Sequence, residues 1–94
     1  MALEIIWTKE AKVKLAEIIT SLEEYGNNQL LQRFSQQLDK KLELIKDHPQ
    51  IYQKSGRLKG ARRCVIDKYH SLLYSHDRMF VYILTLWDNR QNPE

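Results

Sequence analysis

Ninety-four residues with a formal net charge of +3, 43% hydrophobic and 29% charged side chains, make one ordinary globular domain over 1–94 with little room for a separate catalytic lobe. A single cysteine, Cys64, excludes an internal disulfide and any multi-thiolate metal site, and no apolar run reaches membrane-spanning length. The N-terminal MALEIIWTKE lacks the basic start and long apolar stretch of a signal peptide, so a cytoplasmic protein with no membrane partner is expected.

Residues 3–7, LEIIW, are short, apolar and partly β-branched, which predicts a buried strand. Thr8 follows as a helix N-cap, with Glu10 in the first turn where the helix dipole favours an acid. Ala11, Leu15, Ile18, Ile19 and Leu22 recur at three and four residues and mark the apolar side of a first helix. Gly26 is placed to end it, and Asn27 or Asn28 to cap a second helix carrying Leu31, Phe34, Leu38, Leu42 and Ile45. The short linker forces an antiparallel helical hairpin, and Pro49 stops the second helix.

After Pro49 the apolar period changes. Residues 50–60 hold Gly56 and Gly60 and read as loop, and 62–67, 70–75 and 78–87 read as three strands joined by tight hairpins. The last, RMFVYILTLW, is apolar on both faces and is expected to be central. The predicted fold is α+β, in the order β-α-α-β-β-β, an antiparallel sheet with a helical hairpin on one face. Cys64, inside ARRCVID, is expected to be a packed, inert thiol.

Charge is unevenly spread. Residues 1–47 have 7 Lys and Arg against 8 Asp and Glu, a balance of −1, whereas residues 48–94 have 8 against 4, a balance of +4. Five cations fall in residues 53–63, QKSGRLKGARR, which contain no acid. Any single lysine there is most simply a solvated side chain, but the run as a whole suits an anionic partner. Lys54, Arg57, Lys59, Arg62, Arg63 and Arg78 are therefore candidate target-binding residues. Because adjacent strand residues point to opposite faces, one of Arg62 and Arg63 must turn inward and meet a carbonyl or an anion.

The three histidines, His48, His70 and His76, lack metal-ligand spacing, and neither a P-loop, a GxGxxG nor a G-x-S-x-G motif is present. No metal or cofactor is expected. Metal-free RNA cleavage would need a general base, an acid and fixed cations, for which His70, with Arg63 and Arg90, is the best available set. The same cations could instead hold an acidic protein surface without any chemistry. For Tyr69, Tyr74 and Tyr82, packing is the simpler role.

The strand ending WT before EA, the GRLKGARR run, the KYHSLLYSHD hairpin and the closing ILTLWDNRQNP together resemble the RelE/ParE superfamily of type II toxin–antitoxin toxins over nearly the whole chain. The resemblance implies a small cytoplasmic bacterial toxin, often linked to plasmid stabilisation, that inhibits growth until a cognate antitoxin wraps it. RelE-like members cleave mRNA on the ribosome; ParE-like members poison DNA gyrase. RelE-like toxins typically open the middle strand of the meander with Tyr-Arg, where this chain has Tyr69 and His70. Arg90 could match their arginine after the last strand, but residues 91–94, QNPE, supply neither the tyrosine nor the histidine that follows it. The ParE-like reading, which requires no catalytic set, is preferred, with the ribosome-dependent mRNA endoribonuclease as the alternative.

Overall fold

The computed structural model describes residues 2–25 and 28–90. Strand β1 (Glu4–Trp7) leads into helix α1 (Lys9–Glu24), helix α2 (Asn28–Asp47) and the strands β2 (Arg62–Val65), β3 (His70–His76) and β4 (Phe80–Asp88). The element order is the one the periodicity predicts. Thr8 caps α1 as expected, in an extended conformation, with its hydroxyl oxygen accepting from the Ala11 N–H at 3.2 Å. Gly26 and Asn27, assigned to the turn between the helices, lie outside the described residues, while Asn28 is the first residue of α2.

The sheet runs β1-β4-β3-β2, so the strand that is apolar on both faces is central. β2, β3 and β4 form the expected antiparallel meander. β1, in contrast, joins β4 in parallel, from Glu4 opposite Phe80 to Trp7 opposite Ile83, and the sheet is mixed. The α-helical hairpin supplies the crossover that a parallel neighbour requires. Thr8 fixes that crossover at its start: its N–H donates to the Ile83 carbonyl, and its hydroxyl lies 2.8 Å from that oxygen and 3.0 Å from the Leu84 carbonyl.

The main core lies between the helices and one sheet face. Phe34, Leu38 and Ile45 of α2 meet Leu72, Tyr74, Val81 and Ile83, and Trp7 packs half-buried at its margin. Tyr74 reaches out of this core to donate to the Pro49 carbonyl at 2.7 Å, tying the end of α2 to β3. Cys64 is fully buried, and burial pushes its thiol up to about 11, in keeping with an inert packing residue. On the other sheet face, Ala61, Leu73 and Trp87 form a second small cluster under the 53–61 loop, with Leu84 beside it. Gly60 turns that loop back to the sheet at φ +86°, a conformation that disfavours any side chain. Among the described residues, no helix is long and apolar enough to cross a membrane.

Candidate functional site

The cations of 53–63 do not form one patch, because the loop and β2 distribute them over four environments. Arg62 is the inward member of its pair. Its guanidinium donates to the Tyr52 carbonyl at 2.8 Å and reaches the Gln50 carbonyl at 3.5 Å, so its charge closes the loop after α2. Arg63 lies opposite Leu73, on the sheet face away from the helices, and joins Lys54 in a cleft of about 590 Å³ beside β2. Arg57 lies over the Trp87 ring, 4.6 Å from its centroid, and lines a second cleft of about 610 Å³ between α1 and the last residues of β4. Lys59 is exposed on the loop.

Arg78 joins none of these. It is exposed in the β3–β4 turn, where Asp77 accepts from the Met79 and Phe80 N–H groups and from the Tyr82 hydroxyl. Those three donors hold the Asp77 carboxyl below its ordinary value, beginning with the Met79 N–H. At about 3.3 Å per residue, the length of β4 puts Arg78 on the order of 25 Å from Trp87 and Arg90.

His70 starts β3 and is only 7% exposed, with its ring 5.0 Å from that of Phe34 in an edge contact. Asp67 Oδ1 accepts from the His70 backbone N–H at 2.9 Å, lies 2.9 Å from His70 Nδ1, and also accepts from the Tyr69 N–H. One carboxylate oxygen thus closes the β2–β3 turn and fixes the imidazole. The ring edge still reaches the 610 Å³ cleft, whose walls also carry Lys14, Glu10 and Glu17 from α1.

Arg90 grips Asp88 with two hydrogen bonds, Nε to Oδ1 at 3.0 Å and the terminal nitrogen to Oδ2 at 2.6 Å, and its guanidinium lies 4.5 Å from the Tyr69 centroid. These bonds hold the Asp88 carboxyl down at about 2. Of the three residues proposed for proton transfer and charge stabilisation, His70 is engaged by Asp67, Arg90 by Asp88, and Arg63 faces the other cleft. The structure does not gather them around one point.

One participant escaped the sequence reading: Lys41, which no motif singled out, is half-buried in α2 along the β2 cleft with Lys54 and Arg63. Trp87 is 8% exposed, and its indole Nε1 is buried with no hydrogen-bond partner among the described residues. The even apolar character of β4 concealed its outward direction.

The comparisons agree with this architecture. A family model described as the ParE toxin of the type II toxin–antitoxin system parDE matches residues 5–93. Among solved structures, one described as a chromosomal ParDE system from P. aeruginosa is similar with a TM-score of 0.74 at 16% identity, covering 93% of this chain and 96% of that one. The E. coli DinJ–YafQ toxin–antitoxin complex is similar at 0.65 and 9% identity over 100% of both chains. A copper-bound mutant toxin from Helicobacter pylori is similar at 0.55 and 20% identity over 95% of this chain and 97% of that one. No curated protein matches the sequence.

Proposed function

Because the chain belongs to the ParE family of type II toxin–antitoxin toxins, we propose that it arrests growth by a non-catalytic action on DNA gyrase in the bacterial cytoplasm and is neutralised by a cognate antitoxin. The observation that carries the mechanistic half of this reading is the dispersal of the candidate set. RNA cleavage needs acid, base and fixed cation within reach of one phosphate, whereas His70 lines the cleft beside α1 and Arg63 lines the one beside β2. Arg90, the cation that would stabilise a developing phosphate charge, is neutralised by Asp88 at 2.6 Å. A toxin that works by binding requires neither.

The antitoxin follows from the family and is supported by the toxin–antitoxin assemblies named among the similar structures. The positive balance of the second half of the chain suits an acidic partner. To test the target, the chain is induced in bacteria and plasmid supercoiling and mRNA 5′ ends are followed in parallel. Loss of gyrase supercoiling without codon-positioned mRNA cuts is expected. Cuts appearing within minutes, with supercoiling intact, would replace this reading with an mRNA endoribonuclease.

A further inference from the structure

A single residue fastens the end of β4 to the β2–β3 turn. The Asn89 N–H donates to the Tyr69 carbonyl at 2.7 Å, its side-chain oxygen accepts from the Ser71 hydroxyl at 2.6 Å, and its amide nitrogen donates to the Lys68 carbonyl at 3.3 Å. Ser71 is fully buried, so the bond its hydroxyl donates is costly to break. Asp67 Oδ1 ties the same turn from its other end, through the Tyr69 and His70 N–H groups.

The clasp brings an aromatic ring and two cations together at the surface. Arg90, the residue after Asn89, lies 4.5 Å from the Tyr69 ring centre, and the Lys68 Nζ lies 5.5 Å from it. Asp88 keeps the guanidinium from swinging away by accepting from its Nε and one terminal nitrogen. The other guanidinium N–H groups are left to solvent, since the side chain is 67% exposed. Tyr69 itself is 41% exposed, and Tyr25, exposed at the end of α1, stands near Arg90.

Tyrosine and arginine held in place before contact are the side chains that carry most of a protein–protein interface, because they offer large area and hydrogen bonds at low ordering cost. Lys68 and Arg90 against Asp88 leave a balance of one positive charge. A nucleic-acid backbone is held by several cations at once. This donor-rich, weakly charged patch instead suits a protein surface of carbonyl and hydroxyl acceptors. It is also built by the chain alone, as a surface must be that acts when the antitoxin is absent.

We infer that Tyr69, Arg90 and Lys68 form the surface with which the toxin grips its protein target, and that Asn89 is the positioning residue that sets their arrangement. This rests on the non-catalytic gyrase reading above. Tyr69 supplies the central anchor, Arg90 the donors beside it, and Lys68 a rim charge.

The test uses the full chain, purified DNA gyrase and the full protein encoded by the neighbouring gene. Tyr69→Ser should raise the concentration that halves supercoiling about 30-fold or more, and Tyr69→Phe, which keeps the ring, should recover most of that loss. Lys68→Glu, which leaves the ring in place, should cost about tenfold. Asn89→Ala should also cost about tenfold and should erase the ring-current shift that Tyr69 places on the Arg90 side-chain protons. The affinity of Tyr69→Ser for the neighbouring product, and all readouts of Lys40→Gln on the exposed side of α2, should match the wild type. Wild-type inhibition by Tyr69→Ser and Lys68→Glu overturns the inference, and wild-type inhibition by Asn89→Ala after the shift is lost overturns the role of Asn89. Affinity for the neighbouring product that falls in step with inhibition overturns the inference by assigning the surface to the antitoxin. Binding of a DNA duplex by the toxin alone, abolished in Tyr69→Ser, overturns it in favour of nucleic acid. A wild-type chain that leaves supercoiling intact defeats the gyrase reading and the inference with it.

Discussion

Arg57 holds its guanidinium 4.6 Å from the centre of the Trp87 ring, and with buried Ala61 this stack fastens the 53–61 loop over the sheet face opposite the helices. The arginine is exposed and the tryptophan buried, which separates their contributions. Trp87→Ala should cost about 3 kcal/mol or more through lost packing, whereas Arg57→Ala should cost no more than about 1 kcal/mol. Thermal melts of the two variants decide this. If Arg57 also contacts the target, its variant loses toxicity while keeping its melt.

Arg62 should stand apart from its neighbours in the basic run. Removing its charge leaves the Tyr52 carbonyl without its donor at 2.8 Å, a loss of about 1–2 kcal/mol for Arg62→Gln. Lys59→Gln, at an exposed position, should change the melt by less than about 0.5 kcal/mol. A toxicity scan of the basic run is therefore interpretable only with the melt of each variant beside it. Equal melts for the two variants would show that the guanidinium contact does not hold the loop.

Should the toxin act by binding, His70→Gln leaves growth arrest within a few fold of wild type and lowers stability by about 1–2 kcal/mol, because the Asp67 contact and the Phe34 edge are disturbed. A nuclease would instead lose on the order of a hundredfold or more in cleavage. Growth curves and denaturant melts on the same variant separate the outcomes.

Asp88 supplies a pH signature. Its folded carboxyl is depressed from 3.8 to about 2, chiefly by the Arg90 hydrogen bonds. A depressed acid stabilises the fold fully above about pH 5, loses that contribution as pH falls through the interval between the two values, and contributes nothing below them. Arg90 is 67% exposed, so screening reduces the contribution to about 1 kcal/mol. Arg90→Gln should therefore melt about 4–8 °C below wild type at pH 7, and the two should converge as the pH falls to about 2. A gap that persists in that acid range would assign the loss to packing on Tyr69.

Thr8→Ala should be among the costliest single changes outside the core. It removes the cap on α1 and the hydroxyl beside the Ile83 and Leu84 carbonyls, about 1–2 kcal/mol in all. Thr8→Ser, which keeps the oxygen, should recover most of the loss in a urea titration.

The element order was legible because the apolar period changes once, at Pro49, and because β4 is apolar at nearly every position. The partner of β1 was not legible, since a five-residue apolar run fixes a strand without saying which neighbour it takes or in which direction. Alternation showed that one of Arg62 and Arg63 must turn inward; only the register, with Arg62 opposite Tyr74 on the helix side, says which. The cations of the β2 cleft were half visible. Lys54 and Arg63 stood out in a basic run, while Lys41 lies outside that run and reaches the cleft only because α2 is laid against the sheet. The role of Asp67 was missed, although an aspartate two and three residues before strand-opening N–H groups is a turn signal in itself.

The parallel pairing of β1 also sets an order of events in folding. Thr8 meets Ile83 across 75 residues of sequence, whereas β3 and β4 need only close a hairpin. Local closure is fast and distant closure slow, so the strand synthesised first is the one that docks last. Substitutions in β1 should then accelerate unfolding and leave the refolding rate nearly unchanged, a low-φ signature readable in a chevron plot. The first strand is thus a latch, and its grip governs how long the folded toxin lasts rather than how quickly it forms.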